Sequence, residues 1–162
     1  MPLTIDMNQD HPIITTGKTK VADCVRAAGF NDDSWNKPGS FKHKNFEWAQ
    51  CEQHNNLYLF NLWFYEITKQ DGDIVCKANW RTVHEQSKQN GMWKHQYKSD
   101  RTDRYACAAH HRQSPVRVVV VDGHSKPDGS RVATARNLDP VVWRVDHYDM
   151  TTGAAHFRRE RA

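Results

Sequence analysis

The stretch LYLFNLWFYEI, residues 57–67, decides the fold. Its apolar and aromatic residues fall on both faces of an alternating strand. A strand that half-faces water alternates apolar with polar side chains, whereas one that is apolar on both faces is covered on both sides. Residues 57–67 are therefore predicted to form one central strand, rich in aromatic strand formers, with Trp63 in the core.

The neighbouring segments build a sheet around it. Gln70-Asp71-Gly72-Asp73 is a hairpin turn signal, and IVCKANW (74–80) returns as the next strand. On the other side His54-Asn55-Asn56 turns the chain. Before it, FKHKNFEWAQCEQ reads as a strand with Phe46 and Trp48 on one face and Glu47 on the other. These three strands form a meander. Upstream, Val21, Cys24, Val25 and Ala28 follow helical spacing, with Gly29 placed to close the helix. The loop NDDSWNKPGS between helix and meander carries Trp35.

Beyond the meander, residues 82–114 are polar and basic, with a break expected near Gly91. Ser99 or Asp100 can cap a helix over RTDRYACAAHHRQ; begun further upstream, that helix turns Trp93, Tyr97, Tyr105, Ala108 and Ala109 inward. Ser114-Pro115 ends it. VRVVVVDG (116–123) is a second buried strand, and RVATARNL is another strand. Asp139-Pro140 turns the chain into VVWRVDHYD, which pairs with AAHFRR across Met150-Thr151-Thr152-Gly153. In that hairpin Trp143, Val145 and His147 share one face, and Arg144, Asp146 and Tyr148 the other. The order predicts an α+β fold: a bent, mostly antiparallel sheet or partial barrel with two or more flanking helices. Residues 16–159 form a single domain, after a flexible arm (1–15) and before a linker stub (160–162).

The 162 residues include six Trp, six Phe and five Tyr, yet mean hydropathy is −0.88. So many rings in so polar a chain predict that some lie on the surface, lining a pocket or platform. A net charge of +4 permits a polyanionic partner. The four cysteines are scattered with no CxxC, and there is neither a signal-peptide pattern nor an apolar run of membrane-spanning length. Free thiols in the cytoplasm, with no membrane partner, are expected.

Catalytic motifs are sparse. Asp146-His147, after a hydrophobic strand and before Gly153, resembles the first limb of an HNH nuclease centre. The short tail that follows holds His156 but no Asn and no room for the ligand-bearing helix. Cys107-x-x-His110-His111 lacks a second ligand pair for zinc. GxSxG, GxGxxG and P-loop patterns do not occur, and no cofactor is expected.

The prominent pattern interleaves aromatic and basic residues. FKHKNFEW combines Lys42, His43 and Lys44 with Phe41, Phe46 and Trp48; KANWRTVH holds Asn79, Trp80 and Arg81; WKHQYKSDRTDR adds Trp93, Lys94, Tyr97, Lys98, Arg101 and Arg104. Cations hold phosphates, aromatic faces stack on a base, and a carboxylate such as Glu47 accepts from cytosine N4. The same pattern also suits a half-buried sheet with snorkelling lysines and a solvated helix face.

Five segments in order, VADCVRAAGFNDDSW, KNFEWAQ, LYLFNLWFYEI…GDIVCKANWR, SPVRVVVVDG and SRVATARNLDPVVWRVDHYDMTTGAAHFRR, resemble the N-terminal recognition module of bacterial HNH-type modification-dependent (type IV) restriction endonucleases. The resemblance spans about residues 19–159. It implies a single, non-catalytic DNA-recognition domain that binds double-stranded DNA carrying modified cytosine, 5-methyl or 5-hydroxymethyl, for a nuclease domain beyond residue 162. The family-like positions are Trp35, Phe46-Glu47-Trp48, Trp63, Asn79, Arg81, Trp143 and Tyr148. Lys44 and Gln50 stand where the family pattern has aromatics. On this reading Trp35, Phe46 and Trp48 line a pocket for a flipped or exposed base, and Glu47 or Asn79 bonds its edge. Lys44, Arg81, Arg101 and Arg104 hold phosphates, and no metal is required. Two other readings remain open: a small metal-dependent nuclease or toxin using His110, His111 or His147, and a protein-interaction module with a basic face.

Overall fold

The computed structural model describes residues 13–30, 48–52, 55–127 and 131–161. Helix α1 spans Val21–Ala27, and strands β1 and β2 span Ala49–Glu52 and Leu57–Trp63. After a 3-10 turn at Phe64–Glu66 come β3 (Ile67–Gln70) and β4 (Asp73–Ala78), then helices α2 (Trp80–Gln89) and α3 (Trp93–His111). The chain finishes with β5 (Pro115–Ser125), β6 (Arg131–Leu138), β7 (Trp143–Tyr148) and β8 (Ala155–Arg159).

The fold is α+β, with three helices among the described residues and an open, bent, mostly antiparallel eight-stranded sheet ordered β1-β2-β5-β7-β8-β4-β3, β6 pairing with β5 off that path. Its parallel pair is β2 with β5, Leu59 opposite Arg117 through Trp63 opposite Val121. One edge of β5 serves two partners in succession: Pro115–Val116 face β7, and Val119–Ser125 face β6. This sharing bends the sheet and separates two cores. The larger holds Tyr58, Phe60, Leu62, Trp143 and Phe157; the smaller seats α1 through Val25 and Cys24 on Leu59, Val119 and Val121. The two clusters explain why β2 is apolar on both faces.

The structure corrects several expectations. Residues 57–67 are two strands, not one. The 3-10 turn after Trp63 redirects the chain, so β2 pairs with β1 and β5 while β3 pairs with β4, and no meander forms. The strand over 74–80 stops at Ala78, because the Asn79 side chain accepts from Thr82 N (3.0 Å) and caps α2, a helix the periodicity did not reveal. Trp63 is half-buried beside the smaller core, with the Arg131 guanidinium 5.4 Å from its ring centroid.

The last hairpin forms as expected, with Gly153 at φ +82°, but its faces shift. Val145 opposes Phe157 and His147 opposes His156, which leaves Asp146 bulged out. Tyr148 thereby turns inward and His147 outward, reversing the strict alternation. Asp146 pairs with Arg158 at 2.6 Å.

Neither end of the described chain behaves as an appendage. Ile13 packs on the larger core, and Asn137 Nδ2 donates to Thr16 O at 2.8 Å; residues 1–12 lie outside the described residues. Arg159 is fully buried, Glu160 pairs with Arg144, and Arg161 reaches Asp73 at 2.8 Å, so 160–161 are tied to the sheet rather than free as a linker.

Candidate nucleic-acid interface

Helix α3 determines the site: Ala109 is buried and Tyr105 and Ala108 pack on the larger core as expected, whereas Trp93 and Tyr97, expected inward, face solvent. Its buried side is made of Ser99, Thr102, Ala106 and Ala109, while Trp93 is 69% and Tyr97 54% exposed. Small residues let the helix lie close to the sheet. Their hydroxyls are satisfied locally: Ser99 Oγ donates to His95 O (2.6 Å) and Thr102 Oγ1 to Lys98 O (2.7 Å). Trp93 and Tyr97, nearer the start of the helix, point outward, while Tyr105 packs on the larger core.

Trp93, Tyr97, Arg101 and Arg104 are spaced by four, four and three residues, so they form one stripe along the helix. The Arg101 guanidinium stacks 4.4 Å from the Tyr97 centroid, and Lys94 Nζ lies 5.6 Å from that of Trp93. Arg104 extends into solvent beside Asp100, its partner in an exposed i,i+4 pair. Trp48 lies at the flank of this helix, half-buried, with its ring edge-on to His95 at 5.5 Å. Its carbonyl accepts from Asn61 N at 3.0 Å. Burial and the neighbouring Lys98 lower the His95 pKa, which favours a neutral ring against the indole.

Asn79 and Arg81 lie elsewhere and have structural partners. Asn79 caps α2 through its oxygen and donates through Nδ2 to Thr152 O at 3.1 Å. Arg81 Nη1 donates to the carbonyls of Met150 (2.8 Å) and Thr151 (3.1 Å), Nη2 donates to Tyr148 OH (3.0 Å), and Nε lies 3.6 Å from Asp103. Tyr148 OH in turn donates to Asp103 at 2.5 Å; burial and that carboxylate push its pKa up to about 12. Together these groups clamp the 149–153 turn. Phosphate contact by Arg81 and base contact by Asn79 would both compete with the clamp.

A Cβ at Gly153 would lie 2.6 Å from Arg81 Cβ, at a φ that disfavours side chains. Gly153→Ala is expected to cost about 1–3 kcal/mol through backbone strain, before any loss of the clamp. Thermal unfolding should show a midpoint lower by several degrees; an unchanged midpoint would mean that the turn bears no load.

Of the remaining site residues named from the sequence, Trp35, Lys44, Phe46 and Glu47 lie outside the described residues. The family-like Trp143 is fully buried in the larger core. His110 Nδ1 is bonded to Val145 O (3.0 Å), and His147 lies against His156 with centroids 5.0 Å apart. Among the described residues, no three of His, Cys, Asp and Glu gather as metal ligands, and no helix is long and apolar enough to cross a membrane. The aromatic and basic residues of 93–104 fall on one helix, and sequence reading missed the clamp, a local signal of which was Asn79 standing three residues before Thr82 as an N-cap. Comparison with protein-family models, with curated proteins and with solved structures found no match.

Proposed function

We propose that this chain is a non-catalytic module that binds double-stranded DNA and reads modified cytosine on behalf of a restriction nuclease. The observation that carries DNA binding is the outer face of α3, which exposes Trp93, Tyr97 and Arg104 and holds the half-buried Arg101 against the Tyr97 ring, over a buried face of Ser99 and Thr102. Aromatic faces stack on exposed bases, and guanidinium groups hold phosphates. The preference for modified cytosine rests on the ordered segments that resemble type IV recognition modules. Trp48, at the flank of α3, is the described aromatic of the proposed base pocket, whereas Asn79 is taken up in capping α2.

The test is fluorescence anisotropy with matched duplexes carrying cytosine, 5-methylcytosine or 5-hydroxymethylcytosine, over a range of salt and with or without Mg²⁺. A modified duplex should bind more tightly, without cleavage. Trp48→Ala should narrow that difference. Arg101→Ala should weaken all three duplexes and reduce the salt slope by about one. Equal affinity for all duplexes would sink the modified-cytosine reading. Absence of binding at low salt would point to a protein partner for the basic face, and metal-dependent cleavage would restore the nuclease reading.

A further inference from the structure

We propose that Cys107, His111 and Met150 form a site for one soft monovalent metal ion, with Cu(I) as the fitting cation. The three side chains come from two separate elements. Cys107 and His111 are one turn apart near the end of α3, and Met150 projects from the β7–β8 turn. Cys107 Sγ lies 3.6 Å from Met150 Sδ and 3.8 Å from His111 Nδ1. A cation with metal–sulfur bonds of about 2.3 Å and a metal–nitrogen bond of about 2.0 Å spaces its ligands by about 3.5–4 Å. Both separations from Cys107 fall within that range. Thiolate, thioether and imidazole together suit Cu(I), because soft sulfur donors select it over harder divalent ions.

The surroundings hold the ligands in place. Met150 is exposed, but Arg81 fixes its carbonyl at 2.8 Å, and Asp149 Oδ1 accepts from Thr151 N at 2.8 Å within the same turn. The site is thus reachable from solvent yet built on a pinned backbone.

Loading is a proton exchange without electron transfer. The Cys107 S–H bond breaks, the sulfur–metal bond forms, and the proton goes to solvent. Met150 Sδ and His111 Nδ1 each donate a lone pair. His111 Nδ1, which directs its proton at Cys107 O at 3.2 Å, releases that proton to solvent while Nε2 takes one up from solvent, so the ring stays neutral and the Nδ1 lone pair is free for the metal.

The test uses the full chain under anaerobic conditions, with Cu(I) titrated against the chromogenic chelator bicinchoninate. One Cu(I) per chain should be retained. Cys107→Ser should abolish retention, while Met150→Leu and His111→Gln should each weaken it tenfold or more. In parallel, one equivalent of Cu(I) should slow iodoacetamide modification of Cys107 at least tenfold, mapped by mass spectrometry, whereas Zn(II) should not. The proposal is overturned if Met150→Leu and His111→Gln both retain copper like the parent, since the thiol would then act alone. It is also overturned if copper protects Cys51 instead, or if Zn(II) protects Cys107 equally. Should Cys107→Ser fail to fold, the two variants at exposed positions still decide the matter.

Discussion

Asp139→Ala should lower the melting midpoint by roughly 10 °C. Asp139 and Arg159 are both fully buried and joined by two hydrogen bonds of 2.8 Å, from Arg159 Nε and Nη2 to the two carboxylate oxygens. The same carboxylate accepts from Trp143 Nε1 at 2.8 Å and from Val141 N at 3.1 Å. Removing it takes the paired carboxylate away from a buried guanidinium and leaves an indole N–H without its acceptor. Breaking one partner of a buried ion pair costs about 3–5 kcal/mol, because the remaining charge is desolvated and uncompensated. In a domain of this size each kcal/mol moves the midpoint by about 2–4 °C. The double variant Asp139→Leu/Arg159→Met should recover most of the loss, since no orphaned charge remains. Thermal unfolding of the two variants checks this. A single variant melting within two or so degrees of the parent would mean that Arg159 finds other compensation.

The second large effect is expected on binding and not on folding. Replacing Trp93 and Tyr97 together with Ala should weaken DNA affinity about a hundredfold or more while leaving the melting midpoint nearly unchanged. Stacking of a base on an aromatic ring is worth about 1–3 kcal/mol per base. Both rings are more than half exposed, so little packing is lost with them, and surface substitutions of this kind usually stay within about 0.5 kcal/mol. Anisotropy titration and thermal unfolding of one preparation separate the two quantities. Loss of stability matching the loss of affinity would make these rings core residues and not a contact surface. Unchanged affinity would move the DNA-binding face away from α3.

Much of the fold was legible because its signals are local. The apolar run of β2, the continuous valines of β5 and the Asp71-Gly72 turn each carry their conformation within a few residues. So does Gly153, where positive φ is needed to close the last hairpin. The charge and aromatic pattern of residues 93–104 was equally visible, and the structure gathers it on one helix. The clamp was not legible, because Arg81 acts on carbonyls about seventy residues away and no periodicity records that.

The sequence by itself determined the α+β class, the principal strands, the turns and which segment carries the cations and rings. Tertiary structure decided their orientation. Periodicity states that a helix has faces, but the neighbouring sheet determines which face is buried. Here close approach favoured Ser99, Thr102, Ala106 and Ala109 over Trp93 and Tyr97. The Asp146 bulge turned Tyr148 inward, and the parallel registry of β2 with β5 brought together strands that are distant in sequence. Arg159, which reads as one charge in a basic tail, became the most deeply buried cation among the described residues because Asp139 is placed to pair with it. A charge is recognised as interior only when its partner's position in space is known, and that position is a property of the assembled fold.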